Sequence, residues 1–167
     1  VDELTYAEVG ATRDGPLPAG YRHLHYRTYL GRVSFPRAAE AVLTFAMHRA
    51  CGERIESSTP RATVGTTVVS HAGLGPLRLR VPCQVVWVED SDDRAGFGYG
   101  TLPGHLARGE ESFVVTRDAD GGVWFTVTAF SVPGRWLMTA VGPFGPLMQA
   151  AYARVRARAL RRVLRRS

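Results

Sequence analysis

The stretch RAGFGYGTLPGHLARGEESFVVTRDADGGVWFTVTAFS, residues 94–131, decides the fold. Three segments in it repeat every two residues, the period of a strand whose successive side chains point to opposite faces. In 94–101, Ala95, Phe97, Tyr99 and Thr101 share one face, while Gly96, Gly98 and Gly100 share the other. A face lined by glycine lets another backbone, a helix or a ligand come close. Residues 102–109 read as a loop. Glu111–Arg117 and Val123–Ser131 read as strands, joined by the hairpin-type turn Asp118-Ala-Asp-Gly-Gly122. In the last strand Phe125, Val127 and Ala129 make an all-apolar face that should meet the core, with Trp124, Thr126, Thr128 and Phe130 outside. Consecutive strands joined by short turns build an antiparallel sheet.

Upstream, Leu79–Val88 alternates as well, with Val81, Cys83, Val85 and Trp87 on one face. Pro82 there indicates an edge strand or a bulge, because proline donates nothing to a ladder. Thr63–His71 reads as a strand interrupted at Gly65, and Gly73, Gly75 and Pro76 mark a turn. Residues 35–51 read as one amphipathic helix of about four turns, with Ser34 as N-cap and Pro36 in the first turn. Gly52 follows as its stop. Tyr21–Leu30 reads as a first strand with Leu24, Tyr26 and Leu30 on one side, and residues 1–20 as an irregular lead-in. Downstream, the chain reads as helical from Arg135, interrupted at Gly142-Pro143 and Gly145-Pro146, and ends in a basic helix over 147–166. In that helix Met148, Tyr152, Val155, Ala159 and Val163 fall within an arc of about 80° at 100° per residue, and Arg154, Arg158, Arg161 and Arg165 form a separate stripe. The order strand, helix, five or six strands, long helix makes a single α+β domain over 1–167. Its antiparallel β-sheet must bury one face under the C-terminal helix, and a sheet curved around that helix encloses a cavity.

At 167 residues, 45% hydrophobic and 22% charged, the chain has the composition of one ordinary globular domain. No run approaches the ~20 apolar residues of a membrane span, and residues 1–10 carry no apolar signal core. All 21 cationic side chains are arginine, and seven of them lie between Arg154 and Arg166. Residues 1–150 then hold 14 arginines against 15 acids. A near-neutral body with a basic tail argues against a nucleic-acid face and leaves, at most, contact of the tail helix with an anionic surface. Cys51 and Cys83 form no C-x-x-C pair, so neither a zinc site nor a redox motif is indicated. Two free thiols fit a cytoplasmic protein.

The string Tyr99-Gly-Thr-Leu-Pro-Gly-His105 with Gly109-Glu-Glu-Ser-Phe113, the strand Val123–Ser131 with Pro133, and the opening Gly20-Tyr-Arg-His23 resemble the family catalogued as domain of unknown function 1990. Leu30-Gly31, Phe35 with Ala39, and Met47-His-Arg-Ala-Cys-Gly52 also fit, so that the resemblance covers about residues 5–165. The family implies no reaction. Its element order is similar to START-like, birch-pollen-allergen-like proteins, which have the helix-grip fold. That likeness implies an apolar ligand held between sheet and C-terminal helix, and cyclisation or isomerisation of polyketides in some members.

Residues for such a role can be named. Tyr26, Phe97, Tyr99, Thr101, Phe113, Phe125, Ser131, Trp136 and Tyr152 would line a space suited to a small apolar or aromatic ligand. The plain alternative is that the aromatic stripe is core. His105 with Glu110 and Glu111 is the candidate acid–base group, the carboxylate orienting the imidazole. Against it stands a structural role, with a Glu satisfying loop amides. Alternation sends the two acids to opposite faces, and Glu111, in phase with Phe113 and Val115, points inward. His23 and His25 form an H-x-H pair without a third metal ligand nearby and read as surface histidines on an edge strand, and His48 reads as a core or capping histidine. No metal and no cofactor is expected. Dinucleotide, Walker and G-x-S-x-G signatures are absent. Ligand binding is thus the leading expectation. A cyclase, isomerase or lyase using the same pocket, and an adaptor docking acidic partners through the tail, stand beside it. The sequence is compatible with a homodimer.

Overall fold

The computed structural model describes residues 3–72, 79–134 and 145–166. Its strands are β1 (Arg22–Gly31), β2 (Arg54–Ser57), β3 (Thr67–Ala72), β4 (Leu79–Asp90), β5 (Arg94–Thr101), β6 (Ala107–Arg117) and β7 (Val123–Pro133). They form one antiparallel sheet in the order β1-β7-β6-β5-β4-β3-β2. The run β2 to β7 is a meander, and β1 joins its far edge beside β7. The helices are α1 (Ala11–Asp14), α2 (Phe35–Leu43), α3 (Ala46–Ala50) and α4 (Gly145–Arg165). The sheet is curved; α2, α3 and α4 pack on its concave side, and this is the expected helix-grip architecture. The turn at Gly73–Pro76, the helical start at Arg135 with the break at Gly142-Pro143, and Trp136 lie outside the described residues.

The alternation of 94–131 is reproduced. Phe97, Phe113, Phe125 and Val127 are buried on the concave face with Val42, Leu43, Phe45 and Met47 from the helix pair. Val115 and Leu160 complete that core. Several expectations are corrected. The single helix over 35–51 is two, because Phe45 takes φ +61°, a left-handed backbone that costs a non-glycine residue about 1 kcal/mol or more. Its ring is fully buried 5.3 Å from Phe97, and that packing holds the break. Pro82 lies in an internal strand. Its carbonyl accepts from Leu102 just past the end of β5, so its nitrogen faces a place where the ladder has already stopped. The bulge of β4 falls instead between Val85 and Trp87, which turns Trp87 to the convex face opposite Gly98. The loop after β5 is shorter than 102–109, since β6 begins at Ala107.

The inward face of α4 also differs from the expected one. Its buried stripe is Ala153, Arg156, Ala157, Ala159 and Leu160. Of the apolar arc expected to face inward, Met148, Tyr152 and Val155 keep 49%, 45% and 42% of their surface exposed. Alanine at 153 and 157 lets the helix lie close to α3, so the helix turns its small residues inward and its bulky ones to the rim. Gln149 Nε2 donates to Ser131 Oγ at 2.9 Å near one end of α4, and Arg161 donates to Thr28 Oγ1 and the Tyr29 carbonyl near the other. Arg161 is therefore a tie to β1 as well as part of a basic stripe.

Candidate functional site

The glycine face of β5 receives side chains and not a ligand. A Cβ at Gly98 would lie 2.2 Å from the Trp87 indole, and one at Gly100 would lie 2.2 Å from the Tyr6 hydroxyl. The vacant positions let both rings lie flat on the convex face, with their polar ends at Glu110. Tyr6 donates to Glu110 Oε2 at 2.7 Å, as does the Gly10 N–H at 2.7 Å. The Thr12 N–H donates to Oε1 at 3.0 Å, joined by the Thr12 hydroxyl and by Trp87 Nε1 at 3.3 Å. Burial, then the Glu110 charge, raises the Tyr6 phenol far above its usual pKa, so it remains a donor. Glu110 is thus the anchor of the N-terminal segment on the convex side, and its carboxylate faces away from the concave face.

On the concave side, a cavity of about 590 Å3 lies between α4, the sheet and the loop before β6. Tyr99, Thr101, Glu111, Ala129 and Ser131 supply the sheet wall, and Cys51 and Glu53 border it at the end of α3. Ser70 and His71 of β3 close another side, His105 and Leu106 belong to the loop, and Met148, Tyr152, Val155 and Arg156 come from α4. Arg156 organises the polar wall. Its Nη1 donates to both oxygens of Glu111, at 3.1 and 3.2 Å, and its Nη2 lies 3.4 Å from Glu53 and 3.5 Å from the Tyr99 hydroxyl. Its guanidinium also stacks over Phe113 at 4.7 Å. Burial works against its charge, but Glu111, Tyr99 and Glu53 outweigh it and hold its pKa above the ordinary arginine value. Tyr99 in turn donates to Glu111 at 3.1 Å, and burial followed by that carboxylate pushes its phenol well up. Burial also raises the Glu53 carboxyl from its ordinary value, against the lowering effect of Arg156.

Of the acid–base candidates, His105 and Glu111 reach the same cavity and the Glu110 carboxylate does not. His105 Nδ1 accepts the Ala107 N–H at 2.9 Å. Burial lowers its pKa against the raising effects of the Ala107 carbonyl and Glu111, so the ring is neutral. Of the expected lining residues, Tyr99, Thr101, Ser131 and Tyr152 border the cavity. Phe97, Phe113 and Phe125 belong to the solid core beside it, and Tyr26 packs against that core from β1. His23 and His25 lie on the edge strand β1, near the Pro18 carbonyl and Thr128. Cys51 and Cys83 are free, and burial, then Glu53, pushes the Cys51 thiol up to about 11. Sequence reasoning missed Arg156, Glu53, Gln149 and His71. Arg156 is hidden among seven arginines of one helix, and its signal is positional: at 100° per residue it falls in phase with Ala153 and Leu160.

His48 is fully buried, its ring 4.7 Å from Phe113 and 6.0 Å from Phe97, and neither ring nitrogen has a hydrogen-bond partner. Burial, then Arg156 and Arg49, drives its pKa well below 6.5. An unfolded chain takes up this proton as pH falls below 6.5 while the folded chain does not. His48 therefore makes stability fall with pH in that window, by at most about 1.4 kcal/mol per unit. Urea denaturation of His48→Phe at pH 7.5 and 5.5 is expected to show a smaller loss between the two than the parent, and an equal loss would contradict the neutral buried ring.

The family model described as "Domain of unknown function (DUF1990)" matches residues 5–159. A UPF0548 protein of Deinococcus radiodurans is 40% identical over 139 residues, 76% of this chain and 70% of that protein. The hypothetical protein jhp0584 of Helicobacter pylori is similar in structure, with a TM-score of 0.75 at 8% identity over 99% of this chain and 98% of that one. The truncated norcoclaurine synthase of Thalictrum flavum aligns with a TM-score of 0.61 at 12% identity, over 88% of this chain and 95% of that one. At such identities the structural likenesses concern the fold alone. Among the described residues, no helix is long and apolar enough to cross a membrane.

Proposed function

The chain belongs to the DUF1990 family, an uncharacterised one, and on that premise we propose that it holds a small apolar or aromatic molecule between α4 and the concave face of the sheet. The observation that carries this reading is the cavity of about 590 Å3, within the usual range of small-molecule sites of roughly 300–1,000 Å3. Its mouth is bordered by the half-exposed Met148, Tyr152 and Val155, bulky groups that a helix serving only as a lid would turn inward. Its inner wall offers a fixed polar group in Arg156, Glu111 and Tyr99, so that a guest would be oriented as well as enclosed. The free thiols Cys51 and Cys83 support a cytoplasmic setting.

Titration with N-phenyl-1-naphthylamine, a neutral dye that brightens in apolar surroundings, tests the proposal. Saturable one-site binding is expected. Ala129→Trp, which fills the cavity from β7, should weaken it at least about tenfold, equivalent to ~1.4 kcal/mol, with an unchanged far-ultraviolet circular dichroism spectrum. Binding insensitive to this substitution in a folded variant, or no saturable binding, would overturn the reading. Mass spectrometry of organic extracts from the purified protein then identifies the natural guest.

A second reading, proton transfer on the guest, is favoured by one observation: neutral His105 and Glu111 border the same cavity. The structural neighbour named as a synthase is compatible with it. With Glu111 held by Arg156 and Tyr99, the freer base is His105. Turnover of an identified guest that disappears in His105→Ala while affinity stays would establish this reading, and turnover unaffected by that change would exclude His105 from it.

A further inference from the structure

We propose that the cavity prefers a guest carrying a protonated amine on an apolar, preferably aromatic body, and discriminates against the corresponding carboxylate. This rests on the ligand-holding reading above and names the chemical class of the guest. Charge within a largely apolar enclosure decides the preference. Among the described residues that border the cavity, Arg156 is the one lysine or arginine, and Glu53 and Glu111 are the acids whose carboxylates belong to it. The third acid on its border, Glu110, directs its carboxylate to Tyr6, Thr12 and Trp87 on the convex side. The two histidines do not restore the balance. His105 is kept neutral by burial, and His71 Nε2 is engaged at 3.1 Å by Glu56, itself an acid.

The terminal nitrogens of Arg156 are already committed to acids, while its buried Nε–H has no hydrogen-bond partner among the described residues. Its Nη1 is taken by both oxygens of Glu111, its Nη2 lies against Glu53 and Tyr99, and its face covers Phe113. A carboxylate or phosphate head would meet two acids beside a guanidinium whose two terminal nitrogens they already hold. A protonated amine meets the opposite condition, two carboxylates and one guanidinium, and it completes the neutralisation. The neighbouring arginines Arg154, Arg158 and Arg162 are exposed, and solvent and salt screen them. The rings of Tyr99 and Tyr152, both on the cavity border, supply further surfaces that attract a cation.

Three molecules of one shape test the proposal: 1-naphthylmethylamine, 1-naphthylmethanol and 1-naphthoate, titrated at pH 7.5 by calorimetry or fluorescence. The amine is expected to bind about tenfold more tightly than the alcohol, a ratio worth ~1.4 kcal/mol, and the carboxylate more weakly than the alcohol. In Glu53→Gln the amine should fall to the affinity that the alcohol shows in the same variant. A carboxylate that binds as tightly as the amine, or an amine preference that survives Glu53→Gln, would overturn the charge selection and leave the ligand-holding reading standing. Binding of none of the three, by a chain whose circular dichroism shows it folded, would overturn both.

Discussion

Glu110→Ala is expected to lower stability by about 3–5 kcal/mol and to release the N-terminal segment from the sheet. The carboxylate accepts from two side-chain hydroxyls, an indole and two backbone N–H groups. Removing the acceptor leaves those donors buried and unpaired, at about 1–3 kcal/mol for each that finds no water. Detachment of residues 5–14 into solvent limits the total, which is why the expected loss is smaller than the sum. Guanidinium denaturation gives the free energy, and hydrogen exchange at Thr12 and its neighbours gives the detachment. Glu110→Gln, which keeps one carbonyl acceptor, should lose roughly half as much. Because the carboxylate faces the convex side, the naphthylamine dye should still bind the Glu110→Gln protein as it binds the parent. Loss of binding with the fold intact would instead bring Glu110 back into the cavity chemistry.

Arg156→Met is the second large effect. Methionine reproduces much of the side-chain length and the apolar contact with Phe113, so the substitution isolates the charge. It strands Glu111 and Glu53 in a poorly solvated wall without their cation. Breaking a buried ion pair from one side costs about 3–5 kcal/mol. The same loss should be partly recovered in Arg156→Met/Glu111→Gln, where the stranded charge is gone as well. A double-mutant cycle on Arg156 and Glu111 is therefore expected to return a coupling of about 1–3 kcal/mol. Coupling near zero would mean that Arg156 contributes as a spacer and that the ionic wall plays no part in the stability of the site.

The residues that made the fold readable are those in which local pattern and burial agree. The alternation of Phe97, Tyr99, Phe113, Phe125 and Val127 predicted the concave face, and Glu111 follows that phase inward as expected. The glycine face of β5 was recognised as a place of close approach, but sequence spacing does not say what approaches, and Tyr6 lies more than 90 positions away in the chain. The break at Phe45 was not legible because its left-handed backbone carries no glycine or proline and is imposed by the burial of its own ring. Trp87 was assigned to the wrong face because a bulge inverts alternation without leaving a mark in composition. Arg156 does not stand out from the basic tail for a related reason. A helical wheel weighted by hydrophobicity turns the bulky Met148, Tyr152 and Val155 inward, whereas close packing favours Ala153 and Ala157, and Arg156 is carried inward with them to two waiting carboxylates.

The most direct measurement is a crystal structure of the protein grown with N-phenyl-1-naphthylamine. Density for the dye is expected between Ala129 of β7 and Tyr152 of α4, with the Arg156–Glu111 pair still formed behind it. Dye bound elsewhere on the molecule, or side chains collapsed into the space between sheet and helix so that no guest fits, would contradict the account.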